Sequence, residues 1–322
     1  MLRKDYILDR YSYISPERSK RPDEYAEEGS ARNHPENCPF CPGREKDTPP
    51  EIGRVENDDG QWEIRWFKNK FPVLTMGSAK ELRVDEDQLF VEAPSYGTQE
   101  VIVETRGPGQ MADFSVGRIS QILKVYEQRI VELSQKKNID YVLVFKNKGE
   151  KAGASLVHSH SQVMAVGKRP EKIDQELIAF QRYSSCPYCR VLTEEKRKST
   201  RIAFENDSFI AICPFAPRYN FEVWILPKSH KRTLSDLDNN ERQDLAAVLK
   251  RILLKLKELG VPYCFYLQYA PEGLDFHFQI EVLPRTNVHA GFELSGGDVV
   301  VTVSPEQAAE FYSEQTPSEQ NI

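Results

Sequence analysis

No stretch of this chain approaches the ~20 apolar residues that a membrane-spanning helix needs, and residues 1–13 are charged, without the apolar core of a signal peptide. These absences predict a protein that does not associate with membranes and works in the cytoplasm. Positive charge is not in excess. Lys and Arg number 43 against 49 Asp and Glu, a net charge of −6. That balance argues against nucleic acid as a partner, because such a surface is broadly basic, but leaves room for a local basic pocket for a small phosphorylated substrate. Histidine and cysteine are scarce, six of each in 322 residues, so where they fall is informative. The apolar share of 39% is enough for a sizeable core.

Four of the six cysteines form two nearly identical tetrapeptides, Cys38-Pro39-Phe40-Cys41 and Cys186-Pro187-Tyr188-Cys189. In a reducing compartment such pairs bind metal or do redox chemistry rather than form structural disulfides. The same succession follows each pair. A β-type run comes first, at 100–104 and 222–226. A long helical pattern comes next, at 116–136 with Ile119, Ile122, Leu123, Tyr126, Ile130 and Leu133, and at 239–259 with Leu245, Val248, Leu249, Ile252, Leu253 and Leu256. A strand follows at 141–146 and 263–269, and a histidine-bearing strand closes each half at 158–164 and 277–283. Five elements in one order point to an internal duplication. The expected organisation is two α+β domains of related fold, 1–166 and 184–322, joined by a connector over 167–183.

The second half supplies Cys186, Cys189, His230 and His277, a closed Cys2His2 set suited to structural zinc. The first half supplies Cys38, Cys41 and His158. The repeat places Pro108 opposite His230, and proline cannot ligate, so either His34 or water completes that site or the site is incomplete, weak or lost. The run His158-Ser159-His160-Ser161-Gln162 lies at its end. As a strand it would point His158, His160 and Gln162 to one face. Neutral imidazole is a good nucleophile at phosphorus, provided an acceptor such as a backbone carbonyl fixes its tautomer. The Gln162 amide can donate to a phosphoryl oxygen as charge develops. The preceding loop, with Asn147, Gly149 and Ser155, can offer backbone N–H groups to phosphate. In the second half Gln279 replaces His160. The duplication therefore separates a metal-type histidine, His158, from a candidate nucleophile, His160. Both could instead bind one metal in a hydrolase, and Asn69 and Asn147 also suit turns.

Together these residues resemble the galactose-1-phosphate uridylyltransferase family of the histidine-triad superfamily, including its ADP-glucose phosphorylase-like branch. The resemblance runs over nearly the whole chain. Its carriers are the Ile14–Pro22 segment with Arg18 and Arg21, the first Cys pair, the 67–72 segment with Asn69, the His-Ser-His-Ser-Gln run where the family typically has His-Pro-His-x-Gln, and the segments 214–217 and 221–230. The resemblance implies an α+β fold of two related histidine-triad-like domains, each an antiparallel half-barrel sheet with packed helices. It implies a ping-pong nucleotidyltransferase acting on a nucleoside-diphosphate sugar through a covalent nucleotidyl–histidine on His160, with UDP-glucose and hexose 1-phosphate (galactose 1-phosphate) expected first and an ADP-glucose phosphorylase as the alternative. A non-catalytic nucleotide- or zinc-binding module is the rival from another class. By position, Gln162 and Ser155 would bind the phosphoryl group, and Asn69, Asn147 and Gly149 the nucleotide. Arg18 and Arg21 would contact phosphate and Glu293 a sugar hydroxyl. The implied cofactor is zinc, and the implied partners are a nucleotide sugar, a sugar 1-phosphate or phosphate, and a second copy of the chain. The missing metal-type histidine near Pro108, Ala154 in place of a cysteine, and Val300-Val301 in place of Ile-Asn depart from the family pattern and put the substrate, not the reaction class, in question.

Overall fold

Along the chain the strands are β1 (Leu2–Lys4), β2 (Tyr11–Tyr13), β3 (Glu51–Glu56), β4 (Trp62–Lys68), β5 (Arg83–Val84), β6 (Val91–Ala93) and β7 (Gly97–Val103). Helix α1 (Val116–Ser134), β8 (Tyr141–Lys148), β9 (His160–Val166) and α2 (Glu171–Phe180) follow. Then come α3 (Pro187–Lys198), β10 (Ile202–Glu205), β11 (Phe209–Ile212), β12 (Val223–Pro227), α4 (Asn239–Glu258), β13 (Tyr263–Gln268), β14 (Gln279–Pro284), α5 (Gly291–Gly296) and α6 (Pro305–Ser313). This computed structural model describes residues 2–4, 11–13, 38–76, 83–84 and 89–314. Three residues singled out in the sequence, Arg18, Arg21 and His34, lie outside them.

The chain divides into two units, each α+β. The first comprises Met1–Pro108, Gln128–Val144 and Ser155–Gln181. Its principal sheet is antiparallel in the order β3-β4-β7-β9, and a smaller sheet runs β2-β1-β6-β5. Every residue of β7 is buried, as are all but one of β9. A strand covered on both faces needs apolar or fully paired side chains throughout, and Val101, Ile102, Val103, Val163 and Ala165 supply the apolar ones.

The second unit comprises Gly109–Glu127, Phe145–Ala154 and Arg182–Ile322. Its strands are antiparallel in the order β10-β11-β12-β14-β13, and β13 pairs on its other side with residues 145–148 of β8. The expected helix at 239–259 is α4. Asp238 caps it, accepting the Glu241 N–H in a reciprocal capping box. Leu245, Val248, Leu249, Ile252, Leu253 and Leu256 are all fully buried. Each contributes about 1.5–3 kcal/mol relative to exposure. The same stripe on α1, Ile119 to Leu133, is buried as its period predicts.

Two sequence expectations need correction. The histidine-bearing strands were expected from His158 and His277, but β9 starts at His160 and β14 at Gln279. For β9 the reason lies in the hydrogen bonds. The His158 carbonyl faces the His160 ring at 2.8 Å, and the His158 ring turns off to the cysteine pair. Among the described residues no helix is long and apolar enough to cross a membrane.

Candidate active site and metal sites

Strand β9 pairs with β7 so that His160 faces Val103, Ser161 faces Ile102 and Gln162 faces Val101. Directly opposed residues share a sheet face, so His160 and Gln162 stand with Val101 and Val103. Those valines pack in a cluster with Cys38, Phe40, Cys41, Trp62 and Phe67. The candidate nucleophile and the first cysteine pair therefore lie over one patch of core. The Phe40 ring touches both histidines edge-on, with centroids 5.4 Å from His160 and 6.0 Å from His158.

His160 Nδ1 lies 2.8 Å from the His158 carbonyl oxygen. A carbonyl only accepts, so the Nδ1 proton points at it and the lone pair resides on Nε2. The backbone acceptor that the sequence required is thus the preceding histidine's own carbonyl. The intervening serines use the opposite face. Ser159 Oγ donates to Glu104 Oε2 at 2.6 Å, and Ser161 Oγ donates to Glu104 Oε1. Glu104 is fully buried, and its backbone N–H donates to the Ser159 carbonyl at 3.2 Å. The run is therefore held from behind at both serines while its imidazole and amide face the core patch.

Behind Gln162 stands a residue that the sequence reading missed. Gln99 Nε2 donates to Gln162 Oε1 at 2.8 Å, and Gln99 Oε1 accepts the Val73 N–H at 3.2 Å. Period-two alternation along β7 puts Gln99 on the face of Val101 and Val103. That was the available signal.

Cys38 Sγ and Cys41 Sγ lie 3.3 and 3.5 Å from His158 Nδ1, while His158 Nε2 donates to the Thr105 carbonyl at 2.8 Å. The second unit repeats the arrangement. Cys186 Sγ and Cys189 Sγ lie 3.6 and 3.5 Å from His277 Nδ1, and His277 Nε2 donates to the Pro227 carbonyl at 3.0 Å. His230 Nδ1 joins at 3.4 Å from Cys189 Sγ, with its Nε2 on Asp275 at 2.9 Å. In each set the ligand atoms all lie within 4.8 Å of one another. Either group can hold a metal ion. Burial pushes the Cys38 thiol up to about 12 and the His277 imidazole down to about 4. His277 is therefore neutral near pH 7, the form that binds metal. Among the described residues no fourth ligand accompanies Cys38, Cys41 and His158.

Residues 2–170 match the family model described as galactose-1-phosphate uridyl transferase, N-terminal domain. The chain belongs to this family. It is a nucleotidyltransferase. Residues 118–316 also match the model of a domain of unknown function (DUF4921). An ADP-glucose phosphorylase of Arabidopsis thaliana is 32% identical over 97% of this chain and 92% of its own length. A galactose-1-phosphate uridylyltransferase of Thermotoga maritima is 27% identical over 96% of both. The crystal structure of an ADP-glucose phosphorylase from Arabidopsis thaliana with bound ADP-glucose superposes with a TM-score of 0.77 at 31% identity, covering 98% of this chain and 99% of that one.

The remaining candidates divide by unit. In the first, Ser155 is buried just ahead of the His158–Gln162 run. Asn69 closes a turn, accepting the Phe71 N–H at 2.8 Å while its own N–H donates to the Gln99 carbonyl at 2.8 Å. In the second, Asn147 lies on β8 opposite Cys264. Gly149 has φ +89°, and a Cβ there would come within 2.9 Å of Pro262, so no side chain fits. Glu293 is on α5, where its carboxylate accepts the Ala290 N–H at 2.9 Å as a cap. Gln279, at the repeat position of His160, is locked in a polar cluster, donating to Gln268 at 2.5 Å and to Tyr188 and Glu281 at 3.2 Å each. The repeat position therefore carries no nucleophile.

Proposed function

We propose that His160 is the nucleophile of a two-step nucleotidyl transfer. The single observation that carries this is the Nδ1–H bond from His160 to the His158 carbonyl, which places the lone pair on Nε2, the nitrogen that attacks phosphorus. In the first step Nε2 forms a bond to the α-phosphorus of a nucleoside-diphosphate sugar. The bond from that phosphorus to the bridging oxygen breaks, and sugar 1-phosphate leaves with the electron pair. In the second step a phosphate oxygen of the acceptor bonds to the same phosphorus, and the P–N electron pair returns to Nε2. The carbonyl of His158 steadies the positive charge that the ring bears while nucleotidylated. Gln162 donates to a non-bridging oxygen as charge builds in both steps, an interaction of the kind worth about 10²–10³ in rate. Ser155, Asn69, Asn147 and Gly149 are assigned to the phosphoryl group and nucleotide, and Arg18, Arg21 and Glu293 to phosphate and sugar.

For the base, the sequence put uridine first. The 32% relative and the 31% structure with bound ADP-glucose favour adenosine, and the 27% Thermotoga maritima enzyme favours uridine. Incubation with ADP-glucose or UDP-glucose labelled at the α-phosphate, followed by denaturation, decides between them. Acid-labile, base-stable label from one donor identifies the base. No label from either donor, or from other nucleotide sugars, contradicts the reading.

Zinc fits both cysteine–histidine sets. A tetrahedral ion with arms of about 2.3 Å to sulfur and 2.0 Å to nitrogen has S···N edges of about 3.5 Å, and the separations here are 3.3–3.6 Å. Cys38, Cys41 and His158 would hold one ion, and Cys186, Cys189, His230 and His277 the other. Zinc on His158 would anchor the residue whose carbonyl orients His160. The proposed homodimer would have a partner surface to cover exposed apolar side chains such as Val288, Phe292 and Leu294 of the second unit.

A further inference from the structure

We infer that Gln99 is a positioning residue that dictates which end of the Gln162 amide faces the substrate. This inference rests on the nucleotidyl–histidine reading of the same site. An amide side chain has a donor end and an acceptor end of nearly equal size, and only its hydrogen-bond partners decide which way round it sits. A Gln162 turned the wrong way would present oxygen to a phosphoryl oxygen and repel it.

The decision is made at a group that cannot flip. The Val73 backbone N–H is only a donor, so the Gln99 atom 3.2 Å from it must be the oxygen. That sends Gln99 Nε2 toward Gln162, where the atom 2.8 Å away must in turn be Oε1. The chain Val73 N–H to Gln99 to Gln162 therefore ends with the Gln162 NH2 as the end that Gln99 leaves unengaged. Gln99 is 2% exposed, so water cannot easily substitute for either bond. Its backbone carbonyl also accepts the Asn69 N–H at 2.8 Å. One residue thus sets the amide polarity of Gln162 and closes the 69–73 turn that carries a nucleotide-pocket candidate.

Gln99→Glu is the informative variant. It keeps the size and the acceptor for Val73 N–H, but offers Gln162 an acceptor where it had a donor. Gln162 then turns its NH2 to the new carboxylate and its oxygen outward. Single-turnover nucleotidylation of His160 by the labelling donor should fall by about 10²-fold, the loss expected for one donor to developing charge, while donor affinity changes less than tenfold. In a Gln162→Ala background the same substitution should cost nothing further, because there is no amide left to orient. A role in folding alone would slow both backgrounds equally.

Gln99→Met, which removes both side-chain bonds without adding charge, carries the same test if Gln99→Glu does not fold. It should be slower than wild type with Gln162 present and without effect when Gln162 is Ala. Wild-type rates in either folded variant, or an equal loss in both backgrounds, overturn the inference. Failure of the wild-type protein to label at all would instead contradict the nucleotidyl–histidine reading itself.

Discussion

Glu104 shows how much the His158–Gln162 run depends on a residue behind it. Its carboxylate is fully buried and accepts from the hydroxyls of both Ser159 and Ser161. Glu104→Ala leaves two buried hydroxyls without that acceptor, so unfolding in urea should show a loss of about 2–3 kcal/mol, together with slower nucleotidylation. A variant within about 0.5 kcal/mol of wild type, the range of an ordinary surface change, would show that the serines are held by other means. The alternation of His-Ser-His-Ser-Gln already implied two faces. It did not reveal what the serines held, because Glu104 reaches them only through the pairing of β7 with β9. Gln99 was hidden for a similar reason. A glutamine in a strand reads as a surface residue until the burial on both sides of β7 is known. The His160 tautomer needed only a carbonyl, which sequence reasoning could require but not locate.

At the scale of elements, apolar period carried the most information. The stripes on α1 and α4 are buried where the 3.6-residue repeat put them, since a helix is stabilised largely by that face. Strand starts were less legible. His-x-His-x-Gln fits a strand from its first residue, but the bond from the His160 ring to the His158 carbonyl and the turn of His158 toward the cysteines start the ladder two residues later, at His160. Helix α1 is also tied to β7 by a buried ion pair that no pattern announces. Arg129 Nε and Nη2 reach the two Glu100 oxygens at 2.8 and 3.1 Å. Arg129→Met should lower stability by about 3–5 kcal/mol, because it leaves Glu100 buried and uncompensated. The double variant Arg129→Met/Glu100→Gln should recover much of that loss. Equal stability of the single variant and wild type would show that Glu100 is compensated elsewhere.

For the whole molecule, the duplication was readable because cysteine and histidine are rare and recur in one order. The structure adds that each cysteine pair faces the Nδ1 of its histidine while Nε2 is held by a backbone carbonyl, in both units. Purified protein should carry two zinc ions per chain, one for each ligand group, and Cys189→Ser should remove one of them. A chelator should lower the thermal midpoint of the wild type by more than that of the variant. Full metal content in Cys189→Ser would contradict the assignment of the second site.

Covalent transfer is tested most directly by locating the nucleotide on the chain. Protein incubated with the labelling nucleotide sugar, denatured, digested at alkaline pH and analysed by mass spectrometry should carry a single nucleoside monophosphate on His160. His160→Asn, treated identically, should carry none. Modification at another residue, or turnover of nucleotide sugar by His160→Asn at the wild-type rate, would contradict the mechanism.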